Sequence, residues 1–273
     1  MPEPVTQTID VPGATLTYDV RGDLANRPVL LVIGSPMGAS GFPTLASNFE
    51  DRTVVTYDPR GVERSVRSGE LTELSPEDHA GDLIALIEHL DVGPVHYAGL
   101  SMGGFVGLRL GARRPDLVRS LTLIDTSAGP EDPSKVAQYR LLASIYRVVG
   151  LRPLRGKVAP IMFSRAFLET PEGRDVLEVW SRELAQQGRR GVKLAIRGVT
   201  DRLPVLEEIS SVKAPTLVIA GSEDVATPTD RADLIAELIP DAESVTLPGV
   251  GHVSTLEAPQ AVNQALIPFL AAH

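Results

Sequence analysis

The sequence predicts an α/β protein with a mostly parallel β-sheet that carries helices on both faces. Three observations predict this class. Short apolar segments rich in Val, Ile and Leu alternate along the chain with longer segments of helical periodicity. The apolar segments are continuous, as in strands that are buried on both faces. The chain has 273 residues, of which 43% are hydrophobic, and this size fits one domain with an insertion better than two independent domains.

The first half of the chain supplies five predicted strands and two predicted helices. Ser75, followed by Pro76 and two acidic residues, predicts the start of the first helix, and Gly93 and Pro94 follow its end. The second helix follows the fourth strand. The turn Asp58-Pro59-Arg60-Gly61 closes the third strand. The predicted strands are residues 14–20, 29–33, 53–57, 95–98 and 121–125.

After Gly129 the pattern changes, because helical periodicity continues to about residue 202 without a convincing strand. We therefore predict a helical insertion over residues 130–202 in a core made of residues 1–129 and 203–273. Alternation then resumes with a strand at 216–220, a helix at 231–238, a strand at 244–247 and a helix at 259–270.

Composition excludes several classes of protein. The chain has no cysteine, so disulfides and thiolate metal sites are excluded. A net charge of −9 argues against a nucleic-acid partner. No apolar run approaches the roughly 18 residues that span a bilayer, and the first residues lack the features of a signal peptide. We therefore expect a cytoplasmic protein without a membrane partner, as a monomer or a homodimer.

The charge is unevenly distributed. Residues 131–205, which we call the basic segment, contain 14 Lys and Arg against 8 Asp and Glu, whereas the rest of the chain contains 12 against 27. One interpretation is a solvated helical surface. The other is that the segment attracts an anionic substrate.

Gly99-Leu100-Ser101-Met102-Gly103 lies at the junction of a predicted strand and a predicted helix. A turn this tight forces its central residue to a positive φ and leaves no room for side chains two residues before and after it, which glycine supplies. The serine oxygen then projects above the sheet. The pattern predicts that Ser101 is a nucleophile.

A serine nucleophile needs a base that is itself oriented by an acid. Asp224 follows the strand at 216–220 and His252 follows the strand at 244–247, so both lie at the carboxyl edge of the sheet, where sites form. Asp125, at the end of its own strand, is the alternative acid. The other histidines are expected to be structural or solvated: His79 and His89 in a helix, His96 in a strand, and His273 at the end of the chain.

The negative charge that develops on a carbonyl oxygen needs two preorganised donors. We expect the backbone N–H groups of Met102 and of Ser35, in Gly34-Ser35-Pro36-Met37-Gly38, because Pro36 has no N–H. The alternative is that this glycine-rich segment is only a turn. The sequence has no G-x-G-x-x-G spacing or Walker lysine here, so nucleotide binding is unsupported.

With these residues in place, the chain resembles the α/β-hydrolase superfamily over nearly its whole length, and within it the 3-oxoadipate enol-lactonases, cofactor-free haloperoxidase-type esterases and small carboxylesterases. Two positions depart from this resemblance: Ile33 stands where many members have histidine, and Val62 interrupts a frequent Arg-Gly-His-Gly run. The resemblance implies an eight-stranded sheet and makes the helical insertion a cap. The matching segments are Gly34-Ser35-Pro36, Tyr57-Asp58-Pro59-Arg60-Gly61 with Ser65, Gly99 to Gly104, Ala220-Gly221-Ser222-Glu223-Asp224 and Gly251-His252.

These residues favour hydrolysis of a small carboxylic ester or lactone through an acyl-enzyme, without a metal or organic cofactor. Carbon–carbon bond hydrolysis, perhydrolysis and lyase chemistry on the same residues are the alternatives, as is a ligand receptor that keeps the triad. Epoxide hydrolase and haloalkane dehalogenase activities are disfavoured, since those relatives have aspartate where this chain has Ser101. Phe163, Phe167 and Trp180 are candidates either for the substrate pocket or for the core of the insertion.

Overall fold

The strands form one nine-stranded sheet in the computed structural model, which describes residues 3–25, 29–35, 49, 52–62, 64–67 and 74–273. The strand order is β1-β2-β4-β3-β6-β7-β8-β9, and the two-residue β5 pairs with β2. The strands are β1 (Val5–Val11), β2 (Ala14–Arg21), β3 (Val29–Ser35), β4 (Thr53–Asp58), β5 (Val66–Arg67), β6 (Val95–Ser101), β7 (Val118–Ile124), β8 (Thr216–Gly221) and β9 (Ala242–Leu247).

Six strands, β4, β3, β6, β7, β8 and β9 in their order across the sheet, pair with their neighbours in parallel. The pairs β1–β2, β2–β4 and β2–β5 are antiparallel. The predicted α/β class and the eight-stranded, mostly parallel sheet are therefore confirmed, with the two-residue β5 as an addition. The sequence analysis missed β1. Most of its side chains are exposed and its sequence mixes polar with apolar residues, so it lacks the continuous apolar pattern of the buried strands.

The helices connect the strands. Ser75 caps α1 as predicted: its hydroxyl accepts a hydrogen bond from the Asp78 amide at 3.2 Å, and the Asp78 carboxylate accepts the Ser75 amide in return. The α-helices of the described residues are α1 (Pro76–Leu90), α2 (Met102–Arg113), α3 (Pro133–Val149), α4 (Arg155–Met162), α5 (Arg165–Glu169), α6 (Pro171–Gln186), α7 (Arg189–Thr200), α8 (Thr229–Leu238), α9 (Ser254–Glu257) and α10 (Pro259–Ala272).

The continuous apolar runs have a simple structural reason, since successive strand residues enter different cores. Leu31 and Val55 belong to a cluster formed with α1, α2 and α8, whereas Leu30 and Val54 belong to a second cluster formed with α10. All four side chains are buried. Because side chains alternate across a strand, the two clusters lie on opposite faces of the sheet.

The chain between β7 and β8, which is described without a gap, contains α3 to α7 and no strand. These five helices fall within the predicted insertion and enclose a third apolar cluster, which includes Tyr146, Phe163, Trp180 and Leu184. This cluster also contains Val253, from the loop after β9, so it packs directly on the carboxyl edge of the sheet. Among the described helices, none is both long and apolar enough to cross a membrane.

Candidate active site

Ser101 is the last residue of β6 and precedes the first turn of α2. Its backbone has φ 53° and ψ −113°, a strained conformation for a residue with a side chain. A Cβ atom on Gly99 would lie 2.4 Å from the carbonyl oxygen of Gly103, so no larger residue fits there without displacing backbone. The strand-to-helix turn predicted from the sequence is therefore present.

Two side-chain hydrogen bonds hold this turn. The Tyr97 hydroxyl donates to the carbonyl oxygen of Gly103 at 2.7 Å, and the Thr126 hydroxyl donates to the carbonyl oxygen of Ser101 at 2.7 Å. Thr126 lies just after β7, so the neighbouring strand fixes the conformation of the serine. The sequence analysis identified neither contact. The Thr126 contact depends on the pairing of β6 with β7, whereas the Tyr97 contact is local to the strand-to-helix turn.

The structure brings Ser101, His252 and Asp224 together from three separate strand ends. His252 Nε2 lies 3.0 Å from Ser101 Oγ, and His252 Nδ1 lies 2.8 Å from Asp224 Oδ2. Ser101 is half-buried, while the other two residues are buried. An imidazole in this position can accept a proton from the serine hydroxyl while the carboxylate fixes its tautomer.

Asp224 is held by the loop that carries it. Its Oδ1 atom accepts hydrogen bonds from the amides of Ala226 at 2.8 Å and Thr227 at 2.9 Å, and its Oδ2 atom accepts the Thr227 hydroxyl at 2.7 Å. Burial raises the pKa of Asp224, but the charge and hydrogen bond of His252, with the Thr227 donors, outweigh this and hold the pKa below its usual value. Asp224 therefore stays ionised beside the imidazole.

Asp125, the alternative acid, makes different contacts. Its two carboxylate oxygens accept the amides of Gly221 at 3.0 Å and Ser254 at 3.1 Å. Gly221 is the last residue of β8, just before the loop that carries Asp224, and Ser254 is the first residue of α9, just after His252. Asp125 therefore links the segments that flank both residues to the end of β7. Burial, and after it the charge of Asp224, raise the pKa of Asp125 to about 7. The geometry thus places Asp224, and not Asp125, on the imidazole.

The pKa of His252 is raised above its ordinary value. Burial lowers it, but the charge and hydrogen bond of Asp224, together with the charges of Asp125 and Glu131, outweigh burial. The raised pKa makes the neutral imidazole a stronger base, because its surroundings stabilise the imidazolium that forms when it takes a proton from a nucleophile.

The two predicted oxyanion donors lie at the ends of the neighbouring strands β3 and β6. Ser35 is the last residue of β3 and stands in parallel register with Ser101, while Met102 is the first residue of α2. Backbone N–H groups in the first turn of a helix have no acceptor within the helix, so the Met102 amide is available to a ligand. Pro36, Met37 and Gly38 of the predicted loop lie outside the described residues. The use of both amides as an oxyanion hole stays a prediction.

A cavity of about 190 Å³ opens beside Ser101 and His252. Its wall is mainly aliphatic and comes from the helices above the sheet, for example Leu142 of α3, Val158 of α4 and Ile196 of α7. Its other described lining residues include Trp180, Leu184, Val192, Val199, Leu100 and Leu256.

Trp180, one of the three predicted pocket aromatics, lines this cavity. Phe163 and Phe167 are not among its lining residues in the described part of the chain. Their rings stack 5.9 Å apart, and Phe163 packs edge-on against Trp180 at 5.7 Å. The two phenylalanines therefore pack behind Trp180 as part of the third apolar cluster. This position corresponds to the second of the two interpretations, in which they belong to the core of the insertion and not to the pocket.

Glu131 brings a charge to the cavity wall. The Glu131 carboxylate is buried and paired with the buried Arg202 guanidinium at 2.9 Å, and Arg202 also lies over the ring of Phe105, 4.4 Å from its centroid. The residues that the structure describes place no Lys or Arg in the wall. They also contain no group of three or more His, Asp or Glu side chains that could hold a metal ion. The sequence analysis did not single out Glu131, Arg202 or Thr227.

The helices α3 to α7, which we call the helical segment, contact the loop that carries His252. The Val253 amide donates to the carbonyl oxygen of Met162 at 2.9 Å, and the Ser164 amide and hydroxyl donate to the Glu257 carboxylate. A Cβ atom on Gly251 would lie only 2.5 Å from the Ser164 amide nitrogen. The position of the imidazole thus depends on the helices as well as on the sheet.

The structure gives two of the remaining histidines buried positions away from this site. His96 Nε2 lies 2.9 Å from Arg52 Nη1 and its Nδ1 lies 2.8 Å from Ser120 Oγ, while His79 is buried in α1. Burial lowers the pKa of both to about 4, so both are neutral. Both are structural, as expected.

Comparison with known proteins agrees with this architecture. A sequence profile of the alpha/beta hydrolase fold matches residues 27–259. The 3-oxoadipate enol-lactonase 2 of Acinetobacter baylyi is 27% identical over 264 residues, covering 95% of this chain and 94% of the lactonase. The dihydrolipoyllysine-residue acetyltransferase component of the acetoin cleaving system of Pseudomonas putida is 29% identical over 277 residues, covering 99% of this chain and 70% of that protein.

A solved structure of a thermophilic esterase from Thermogutta terrifontis, with malate bound, superposes with a TM-score of 0.85 at 26% identity and covers 99% of both chains. The fold profile spans most of the sequence, and the expected resemblance to enol-lactonases is confirmed. This chain belongs to the α/β-hydrolase family.

Proposed function

We propose that this protein is a serine hydrolase that cleaves a carboxylic ester or lactone through an acyl-enzyme. The observation that carries the proposal is the continuous contact from Ser101 Oγ through His252 to Asp224, at 3.0 Å and 2.8 Å. A hydroxyl, an imidazole and an ionised carboxylate in this order form the arrangement that activates serine for acyl transfer. Relatives named as an esterase and an enol-lactonase support the same reaction class.

In the first half of the reaction, Ser101 Oγ attacks the carbonyl carbon while its proton passes to His252 Nε2. The carbonyl oxygen becomes an oxyanion, which we assign to the amides of Met102 and Ser35. When the tetrahedral intermediate collapses, the bond to the leaving oxygen breaks and His252 returns the proton to that oxygen. Asp224 stabilises the imidazolium throughout.

In the second half, a water molecule attacks the acyl-enzyme and gives its proton to His252. The bond between Ser101 Oγ and the acyl carbon breaks, Oγ regains the proton, and the carboxylic acid is released. We also propose that residues 130–202 act as a cap, because this range supplies eleven of the twenty described residues that line the cavity.

Substitution of Ser101 by alanine tests this function. In S101A, turnover of p-nitrophenyl acetate and hexanoate should fall by at least about 10³-fold, since only binding and oxyanion contacts remain. The variant should also lose labelling by a serine-directed fluorophosphonate. The matched control is Ser210→Ala. Ser210 is exposed and lies outside the candidate active site, so this variant should keep both ester turnover and labelling by the fluorophosphonate. Full activity in S101A, or tight ligand binding by the wild type without turnover of any ester or lactone, would exclude the proposal.

A further inference from the structure

The cavity beside Ser101 has an uneven chemical character. At one end stand the polar groups of Ser101, His252 and Thr227, and away from them the described wall is almost entirely aliphatic and aromatic, with Val158, Ile161 and other side chains of the helices. An acyl group attached to Ser101 would therefore have its carbonyl at the polar end and its chain among apolar side chains.

The electrostatics of the wall disfavour an anionic chain. Glu131 carries a negative charge into the described wall, and its counter-ion Arg202 is already engaged by Glu131 and by the carbonyl oxygens of Gly129 and Val199. A carboxylate in the cavity would lose water and meet the charge of Glu131, while the described wall offers it no cation and, away from the polar end, only hydroxyl donors such as those of Tyr139 and Thr255. This exchange is costly for a full charge.

Cations of the basic segment are engaged away from the cavity. Arg140 pairs with Asp201, Arg155 with Glu178, and Arg165 with Glu169, and the three arginine side chains are between 35% and 92% exposed. None of the three is a lining residue of the cavity. Since the described wall contains no Lys or Arg, these exposed cations offer no counter-charge to a chain bound in the cavity.

The volume sets the length of the chain. A dry apolar cavity of about 150 Å³ holds a benzene ring, which has six carbon atoms. A cavity of about 190 Å³ therefore suits an apolar group of roughly six to eight carbons. We assign this group to the acyl half of the ester, because the acyl group stays bonded to Ser101 between the two half-reactions, whereas the alcohol must leave.

We propose that the substrate is a neutral ester whose acyl group is apolar and about six to eight carbons long, and that a carboxylate at the far end of that group is rejected. This inference rests on the proposed function and narrows it to one substrate class.

The first test is a series of p-nitrophenyl esters from acetate to dodecanoate. Because each buried methylene contributes to binding, kcat/KM should rise about two- to fourfold per methylene up to six to eight carbons and then fall. A flat profile, or an optimum at acetate, would overturn the inference. So would a length dependence seen only when the alcohol is varied in a series of alkyl acetates.

The second test isolates charge at constant length. It compares p-nitrophenyl hexanoate with the mono-p-nitrophenyl ester of adipic acid, which has the same number of acyl carbons and a terminal carboxylate. We expect kcat/KM for the adipate ester to be at least about 10²-fold lower, since the buried carboxylate finds no cation in the described wall and lies in a cavity that Glu131 also lines. Equal rates, or faster turnover of the adipate ester, would contradict the inference.

Matched variants show whether this cavity is responsible. Val199 lines the cavity, whereas Val179 on α6 is 52% exposed and does not. V199F should move the length optimum to shorter acyl groups, while V179F should leave it unchanged. If V199F does not fold, V158F fills the same cavity from α4 and serves the same purpose. If a folded cavity variant keeps the length optimum of the wild type, the inference is contradicted. If the wild type itself hydrolyses no ester, the proposed function is contradicted instead.

Discussion

The carboxyl edge of the sheet and the helical segment above it meet at Ser101 but are stabilised differently. At the edge, directional hydrogen bonds hold each reactive group: three donors fix Asp224, and the two amides bound by Asp125 fix the neighbouring loops. In the helical segment, side chains such as Trp180 are held mainly by apolar packing, to which the Tyr146 hydroxyl adds a hydrogen bond to the carbonyl oxygen of Leu184. Under the proposed function, the chemistry would depend on a few exact positions, while substrate selection would depend on the shape of a wall that tolerates conservative change.

The two regions touch at the loop that carries His252, where Met162 and Ser164 bond to Val253 and Glu257. Disturbing the edge should abolish the reaction, disturbing this contact should weaken it, and changing the surrounding charges should only shift its pH dependence. The next predictions test this ranking.

The largest effect is expected from Asp224→Asn. The amide would present an N–H group to His252 Nδ1 and favour the wrong tautomer, so kcat for p-nitrophenyl hexanoate should fall about 10⁴-fold. Asp233→Asn, the same substitution at an exposed position of α8, is the control and should be active. A loss of less than tenfold in D224N, with the circular dichroism of the wild type, would show that the sheet edge does not control the reaction.

A smaller loss is expected from Gly251→Ala. The new methyl group would meet the backbone at Phe163 and Ser164, at 2.5 to 2.9 Å, and should push the His252 loop away from the helices. A displacement near 1 Å costs about 10²-fold in rate. Gly156→Ala is the matched control, because a Cβ there meets nothing within 4 Å. Steady-state kinetics of the two variants give the comparison, and equal activity would mean that the contact between the regions does not position the imidazole.

The smallest effect concerns pH. His252 acts as a base only when neutral, and its pKa is raised, so kcat/KM should fall as the pH drops through an apparent pKa above 6.5. Asp125 has a pKa of about 7, so its carboxyl group is partly ionised in the range where His252 titrates, and Asp125→Asn removes this partial negative charge. The acid limb should therefore move slightly to lower pH. Asn keeps an acceptor oxygen for one of the two amides that Asp125 binds, so the plateau rate should stay within about tenfold of the wild type. A limb that stays in place or moves upward in D125N would show that Asp125 does not act on His252.

Much of the carboxyl edge of the sheet could be predicted, because short stretches of sequence indicate which residues lie there. Glycines around Ser101, and the position of Asp224 and His252 just after apolar strands, mark the site without any knowledge of distant contacts. The choice between Asp224 and Asp125 needed the structure, since both follow parallel strands and only the loop path decides which carboxylate faces the imidazole.

The helical segment was less predictable for a physical reason. Helical periodicity identifies which face of a helix is buried, but a core and a pocket bury apolar residues equally. Trp180 of α6 lines the cavity and Phe163, just after the end of α4, packs behind it, although the same two interpretations were open for both side chains in the sequence. Glu131 and Arg202 form their buried pair across 71 residues of sequence, which no local pattern reveals.

The conformation of Ser101 has one further consequence. Its φ of 53° is a geometry that glycine adopts freely and that costs other residues on the order of 1–3 kcal/mol. Glycine at position 101 would relieve that cost, yet it would lack the hydroxyl. If Ser101 is the nucleophile, stability and turnover make opposite demands on this position, and selection of variants for heat resistance alone would favour an inactive protein.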